Sequence, residues 1–358
     1  MKVQRGRPPV ASAPVRAGSR WLGRSAIAAS LLTALLAACS GGGGPTAPNA
    51  TGAASGGGPG SIAWRSCNGA DGPKGYQCAS LLVPRDPRHP GAGTIAMALD
   101  RHPASGQRVG SLVLNPGGPG VSGVDFLPDA VKLLSKKLVS SFDLVSFDPP
   151  GVDRTAPVVC LDPAGLSAYF HTDPAPPTAA GFAALVASEQ VLAQGCEKRS
   201  GAELPYVSTA DAVADLDLLR QALGDGALSY MGFSYGTLIG AGYAHRFPSR
   251  VRALVLDGAI DPAVPVITRL DEQSASLDSQ LQRFFAFCAA WSGCPWQQGR
   301  DPEATFLALL QRVRSSPLPV AGSARTVGPS ELLFGTGQAL YSPGYWNCLL
   351  YTSDAADE

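Results

Sequence analysis

Gly232-Phe-Ser-Tyr-Gly236 sets a serine two residues from a glycine on either side. A serine spaced this way, on a sharp strand-to-helix turn, sits in a strained backbone with its hydroxyl raised above the sheet end. There it can attack an acyl carbon. The turn brings the residues at −2 and +2 together, so side chains at those positions would collide and glycine fits. The pattern alone recurs by chance in a chain with 42 glycines, and a tight βα turn that merely tolerates serine would produce it too. The flanks favour chemistry. The run from Ala227 to Met231 reads as a short apolar strand, and Thr237 to Arg246 reads as a helix. Ser234 is therefore the candidate nucleophile.

Acyl transfer also needs hydrogen-bond donors aimed at the oxyanion of the transition state. Asn115-Pro-Gly-Gly-Pro-Gly-Val-Ser-Gly123 follows the apolar run Ser111–Leu114 and supplies a backbone that can approach a substrate, stiffened by Pro116 and Pro119. Taken alone it would read as a mobile surface loop. Beside the elbow it reads as the second half of an oxyanion hole, with the N–H of Gly118 (Gly117 as the fallback) joining that of Tyr235.

A serine hydroxyl needs a histidine to take its proton and an acid to orient that histidine. The chain has four histidines: His89, His102, His171 and His245. Only His245 follows the serine, eleven residues along the same helix, which at 1.5 Å per residue is about 16 Å away. It reads as a helix-surface residue, and the earlier three lie in loops or at strand ends. Asp257 and Asp261, after the next strand, read as hydrogen-bonded turn acids. No residue is assigned as the base or as the triad acid.

The elements that must position these groups are legible nearby. Ser208-Thr-Ala-Asp211 is a capping box, followed by Val213, Leu216, Leu219 and Leu223 at helical spacing and closed by Gly224. Ser111–Leu114, Phe142–Phe147 and Val251–Leu256 are buried-strand runs. Strands alternating with helices predict a doubly wound, mostly parallel sheet of the α/β class.

Four motifs in one order, Asn115-Pro-Gly-Gly-Pro-Gly, Phe147-Asp-Pro, Gly-Phe-Ser234-Tyr-Gly-Thr, and Val255-Leu-Asp-Gly258 with Asp261-Pro262, carry a family likeness. From about Trp64 to the Trp291–Pro295 region the chain resembles the secreted bacterial tripeptidyl aminopeptidases, in the proline-iminopeptidase-like branch of the α/β-hydrolases. The resemblance implies that fold with the start of a helical lid, and a cofactor-free serine exopeptidase. Such an enzyme releases short N-terminal peptides through an acyl-enzyme, its acid and histidine coming later in the chain. One departure is visible. The family's Asp-Pro-Arg-Gly is here Asp148-Pro-Pro-Gly-Val-Asp-Arg154, with no arginine at position 150.

Eight cysteines are present. Setting aside Cys39 and Cys348 leaves Cys67, Cys78, Cys160, Cys196, Cys288 and Cys294, an even set that an exported chain can oxidise to three disulfides. Fifteen pairings are possible. Short loops and the family resemblance imply 67–78, 160–196 and 288–294. No Cys-x-x-Cys or matched histidine spacing marks a metal site, and none is expected.

The first 38 residues read as a signal peptide. Six basic residues and no acids precede the apolar run Ala26–Ala38. As a helix this run reaches about 20 Å, short of the roughly 30 Å of a bilayer core. Leu36-Ala-Ala-Cys39 resembles a lipobox, which predicts lipidation at Cys39 and a membrane anchor; ordinary secretory cleavage is the alternative. Residues 39–61 form a Gly/Pro/Ser-rich tether. The organisation expected is a hydrolase core over 62–262 and a lid region over 263–347. Residues 348–358 resemble a translated sequencing adapter, which predicts a non-native tail and a natural chain that continues beyond it.

Two stretches are expected to cover the site: the Pro/Ala-rich segment Asp162–Pro205 and the amphipathic helix Ile267–Trp291. Within the latter, Asp271 and Glu272 are candidate partners for a free substrate ammonium, or simply solvated first-turn acids. Residues 1–38 and 348–358 hold six basic and three acidic residues. Without them the chain has 22 basic and 25 acidic residues, a net charge of −3 that argues against a nucleic-acid partner. The expected function is an exported, envelope-bound or extracellular aminopeptidase acting on peptides. The alternatives are an esterase or lipase of the same fold and a non-catalytic surface-binding protein.

Overall fold

A computed structural model describes residues 60–69, 72–294, 296, 301–320, 322–323, 325–346 and 349–350. The signal segment, the lipidation site Cys39, the tether as far as residue 59, Cys348 and residues 351–358 lie outside the described residues. No helix of the described residues is long and apolar enough to cross a membrane.

Seven strands form one sheet: β1 (Arg65–Ser66), β2 (Gln77–Pro84), β3 (Thr94–His102), β4 (Gly110–Asn115), β5 (Phe142–Phe147), β6 (Leu228–Phe233) and β7 (Val251–Asp257). Their order is β1-β2-β3-β5-β4-β6-β7. β4 to β7 run parallel, while β1 to β3 add an antiparallel flank joined through the β3–β5 pairing. The parallel strands are those the apolar runs announced. β4 is buried along its whole length, as a strand covered on both faces must be. In the antiparallel flank burial partly alternates, with Leu81 and Val83 inside on β2 and Ile95, Met97 and Leu99 inside on β3.

The helices follow as α1 (Gly123–Leu133), α2 (Lys136–Ser141), α3 (Pro163–His171), α4 (Ala179–Ser200), α5 (Thr209–Ala222), α6 (Tyr235–Arg246), α7 (Val266–Ala290), α8 (Pro302–Ser315) and α9 (Pro329–Ala339). A two-residue pair, β8 (Leu318–Pro319) with β9 (Thr326–Val327), lies between α8 and α9. Successive side chains of a strand point to opposite faces, and the two cores divide accordingly. Leu112 and Leu114 pack with Leu144 under Phe126, Leu127 and Ala130 of α1. Val113, Val145 and Phe147 pack with Val213, Leu216 and Leu219 of α5 and Ile239 and Tyr243 of α6.

α5 and α6 are tied by polar groups as well. Buried Asp217 accepts from Arg220 Nε (2.9 Å) and Tyr243 Oη (2.9 Å) and is ion-paired to Arg250. Burial alone would raise the Asp217 pKa, but these donors hold it below the usual carboxylate value. Asp215, two residues earlier, has no such help. It is 1% exposed, its Oδ1 has no hydrogen-bond partner, and burial followed by repulsion from Asp211 pushes its pKa up to about 7.

The remaining helices build a cap. Phe284, Phe285, Cys288, Cys294 and Trp296 pack with Phe306, Leu310, Leu332 and Trp346, and Leu349 and Leu350 are buried in the same cluster. The Pro/Ala-rich stretch 162–205 forms α3 and α4 and joins this cap: Arg314 Nε lies 2.8 Å from Asp173 Oδ2, and Phe170 packs edge-on to Phe334. Three disulfides close as 67–78, 160–196 and 288–294, the pairing the resemblance implied. The second roots α4 to the segment leaving β5, where buried Ser200 also bonds both backbone groups of Val159.

Candidate active site

β6 delivers its last residue, Phe233, to the sheet's C-terminal edge, and α6 starts two residues on. Ser234 between them has φ 50° and ψ −120°, a left-handed conformation that costs a non-glycine residue on the order of 1–3 kcal/mol. Three contacts hold it there. Ser234 N donates to Asp257 O of β7 (2.9 Å), Thr237 Oγ1 donates to Ser234 O (2.6 Å), and Thr237 Oγ1 accepts from Ile260 N (2.9 Å). The flanking glycines are required by contact: a Cβ at Gly232 would lie 2.4 Å from Gly236 O, and one at Gly236 would lie 2.8 Å from Asn115 O. Buried Tyr230 completes the frame by donating to Gly236 O at 2.8 Å. Ser234 itself is exposed, and among the described residues no hydrogen bond engages its hydroxyl.

The loop after β4 lies against this elbow. A Cβ on Gly117, which has φ 93°, would sit 2.3 Å from Phe233 O, 3.0 Å from Tyr235 N and 3.2 Å from Ser234 Cβ. Glycine at 117 is what lets the loop approach. The N–H of Gly117 is already committed to Asn115 Oδ1 at 3.0 Å. That leaves the N–H of Gly118, in the exposed part of the loop, and the N–H of Tyr235, a first-turn donor without an intrahelical acceptor. Buried Asn115 was not singled out from sequence, although a polar residue closing an otherwise apolar strand was the available signal.

Pro149, Pro150, Val152 and Val207 join Pro119 and Tyr235 around an adjoining cavity of about 50 Å³. Its walls are mostly apolar, with Asn115, Tyr206 and Ser208 also lining it, and it has room for a small group only. Tyr235 is fixed over it by a 2.8 Å hydrogen bond between its hydroxyl and Thr209 Oγ1. A much larger cavity, about 850 Å³, opens instead along α6 and α5 and is lined by His245, Arg246 and Arg269. His245 is thus placed at the far end of the elbow helix, as its spacing predicted.

The other histidines are engaged elsewhere. His89 Nδ1 lies 2.8 Å from Asp86 Oδ2, His102 packs edge-on to Tyr76, and His171 sits on α3 beside Ser167 O and Glu331. Asp261 Oδ1 accepts from Ala263 N (2.8 Å), a turn acid, while Asp257 serves the elbow through its backbone carbonyl. Asp271 and Glu272 are both exposed on α7. Cys67, Cys78 and Asp100 bring potential metal-ligand atoms within 4.8 Å of one another, but both sulfurs are spent in the disulfide. The arrangement therefore sets an exposed, strained serine against the Gly117 turn, and among the described residues no hydrogen bond engages the N–H of Gly118 or of Tyr235.

Residues 110–299 match the family described as the alpha/beta hydrolase fold. The serine protease Hip1 of Mycobacterium tuberculosis is 35% identical over 303 residues, covering 80% of this chain and 58% of that protein. A tripeptidyl aminopeptidase of Streptomyces coelicolor is 34% identical over 305 residues, covering 80% and 54%. Carboxylesterase B of Mycobacterium tuberculosis is 36% identical over 279 residues, covering 76% and 53%. The chain thus spans little more than half the length of these relatives.

Proposed function

The chain belongs to the alpha/beta hydrolase family, and from that premise we propose that it is part of an exported serine peptidase. Its activity is the release of short N-terminal peptides through an acyl-enzyme on Ser234. The observation that carries the reading is the exposed, positive-φ Ser234 with Gly117 packed against it, the Gly118 and Tyr235 amides having no hydrogen bond among the described residues. In the reaction the general base takes the Ser234 proton as Oγ attacks the scissile carbonyl carbon, whose oxygen becomes an oxyanion bound by the two N–H groups. Collapse expels the leaving amine with that proton, and water, deprotonated by the same base, then cleaves the ester and restores the serine hydroxyl. Relatives named serine protease and tripeptidyl aminopeptidase support peptide as the substrate. Three disulfides support an oxidising compartment. Lipid attachment at Cys39 completes the proposal, with the tether holding the enzyme at a membrane surface.

The general base and its acid are assigned to parts of the longer protein, since none of the four histidines is placed against Ser234. The 358-residue chain by itself is then inactive, or keeps only the roughly 10³–10⁴-fold advantage over water that an oxyanion hole and binding provide. A fluorophosphonate probe tests the reading on the full-length protein: the probe labels Ser234, and Ser234→Ala abolishes the label. An unlabelled full-length protein would favour a binding role without catalysis.

Ester hydrolysis is the second reading, favoured by the likeness to carboxylesterase B. An elbow and an oxyanion loop serve amides and esters alike. Parallel turnover of peptidyl and acyl-ester chromogenic substrates separates the two, and faster turnover of N-blocked esters would overturn the exopeptidase assignment.

A further inference from the structure

The loop that faces Ser234 is anchored at both ends, and its second anchor is a buried carboxylate. Asp148, the residue after β5, is fully buried. Its Oδ1 accepts from Ser122 Oγ (2.7 Å) and Val124 N (3.2 Å), and its Oδ2 accepts from Arg154 N (3.3 Å). Ser122 is where the loop ends and α1 begins, and its hydroxyl oxygen also accepts from Asp125 N at 3.1 Å. Asn115 thus fixes the entrance of the loop and Asp148 its exit. Burial pushes the Asp148 carboxyl above its ordinary range, so the anion needs every donor it has.

The Arg154 side chain spans this anchor. Its Nη1 lies 3.5 Å from Ser122 Oγ and 4.0 Å from Asp148 Oδ2 and is paired with Asp153, while Nη2 lies 2.9 Å from Asp125 Oδ1. Among the described residues it is the only cation paired with these three carboxylates. The turn that presents it is itself constrained. Asp153 and Ala156 both have positive φ, at 36° and 43°, Gly151 and Thr155 exchange a backbone bond, and buried Thr155 takes a bond from Ala98 N of β3. Two of the three positive-φ non-glycine residues among the described residues therefore flank Arg154, and the third is Ser234. Asp125, Asp153 and Arg154 are themselves exposed, so the contacts that reach the loop anchor are those of Arg154 with Ser122 and Asp148.

We propose that Arg154 is a positioning residue for acyl transfer. It neutralises Asp148 and bridges to Ser122 and Asp125, and so holds Gly117–Val121 in register with Ser234. The chain thereby regains, four residues later, an arginine that the Asp148-Pro-Pro-Gly sequence lacks at position 150. The proposal rests on the reading of Ser234 as the nucleophile, and its test separates the two.

In the full-length protein, Arg154→Met is compared with the parent by the rate of fluorophosphonate labelling, by kcat and KM on a peptidyl substrate, and by hydrogen exchange of peptides covering 115–123. A displaced loop is expected to slow labelling and lower kcat by about 10–10²-fold. KM should stay nearly constant, exchange should rise in 115–123 and not in β6, and Arg154→Lys should fall between. Asp148→Asn removes the anion that Arg154 neutralises, so adding Arg154→Met to it should cost much less than in the parent. Unchanged labelling and exchange in Arg154→Met overturns the proposal, as does faster exchange spread evenly through the core. If the parent itself is not labelled, the nucleophile reading fails and the exchange measurement alone decides whether Arg154 clamps the loop.

Discussion

The C-terminal ends of β4, β5 and β6 and the helical cap are held together in opposite ways. At the strand ends the constraints are polar: three are local, Asn115 to Gly117, Tyr230 to Gly236 and Thr237 to Ser234, and one, Asp148 to Ser122, is long-range. Glycines stand where backbones touch. In the cap the constraints are apolar and distant in sequence, as where Phe284 meets Trp296 and Trp346. Large apolar residues remain on its outside, among them Phe182 at 61% exposure and Ile267 at 66%. The contrast teaches that the polar frame around Ser234 and the apolar cap rest on different interactions, so each should respond to its own substitutions. Perturbations should therefore separate cleanly between chemistry and cap stability.

The largest separation is expected at Ser234. Ser234→Ala should remove turnover in the full-length protein, a loss of about 10⁶-fold, with the cap untouched. Ser234→Gly should do the same and also stabilise the core by about 1 kcal/mol, because glycine adopts φ 50° without strain. Chemical denaturation of the two variants compares them directly, and equal stability would mean the elbow stores no strain. Next in size is Gly117→Ala. The new methyl meets Phe233 O at 2.3 Å and must push the loop off the elbow. Labelling of Ser234 should fall by about 10²–10³-fold, as when an oxyanion donor is lost, while hydrogen exchange in α7 to α9 stays at the parent's rate.

The same contrast explains what was legible in the sequence. The elbow, the Gly-rich loop and the strands β4 to β7 announce themselves because their constraints are encoded within a few residues: glycines at fixed offsets, unbroken apolar runs, a capping box at Ser208 that the structure reproduces. The antiparallel strands β1 to β3 were not located. In Gln77-Cys-Ala-Ser-Leu-Leu-Val-Pro84 the alternation is broken by small residues, and its partners run from Thr94, opposite Pro84, to Arg101, opposite Gln77. The 162–205 stretch read only as Pro/Ala-rich because its helices carry weak periodicity and bury little; α4 has one buried residue, Ser200. Asp148 and Arg154 escaped for another reason. Their meaning lies in Ser122, 26 and 32 residues earlier, and no local pattern shows a long-range hydrogen bond.

A smaller effect tests the cap side of the comparison. Replacing Cys160 and Cys196 by serine opens a loop of sequence separation 36, which chain-entropy reasoning values at roughly 3–4 kcal/mol. Because this bond roots α4 and not the elbow, the loss should appear as faster hydrogen exchange over 163–200. Fluorophosphonate labelling at 25 °C should stay within about threefold of the parent, far below the effect of losing an oxyanion donor. A matching collapse of labelling would show that cap and strand ends are one cooperative unit and that the contrast drawn above is wrong.

The smallest expected effect is a flaw in the core itself. Asp215 lies on α5, buried and unpartnered at Oδ1, with a pKa raised to about 7. An ordinary aspartate in the unfolded chain titrates near 3.9. Between these values the folded protein holds a proton that the unfolded chain has released, so stability is greatest on the acid side of the window. It falls as pH rises toward 7, by about 1 kcal/mol between pH 6 and pH 8. Asp148, also raised by burial, acts with the same sign, so the informative quantity is the difference between Asp215→Asn and the parent. The amide keeps the shape and cannot ionise. Urea denaturation of the two proteins should agree near pH 6 more closely than near pH 8, where the variant should be the more stable. If the gap does not widen with pH, the Asp215 carboxylate is solvated or paired in solution and the interior around α5 is less dry than its burial implies.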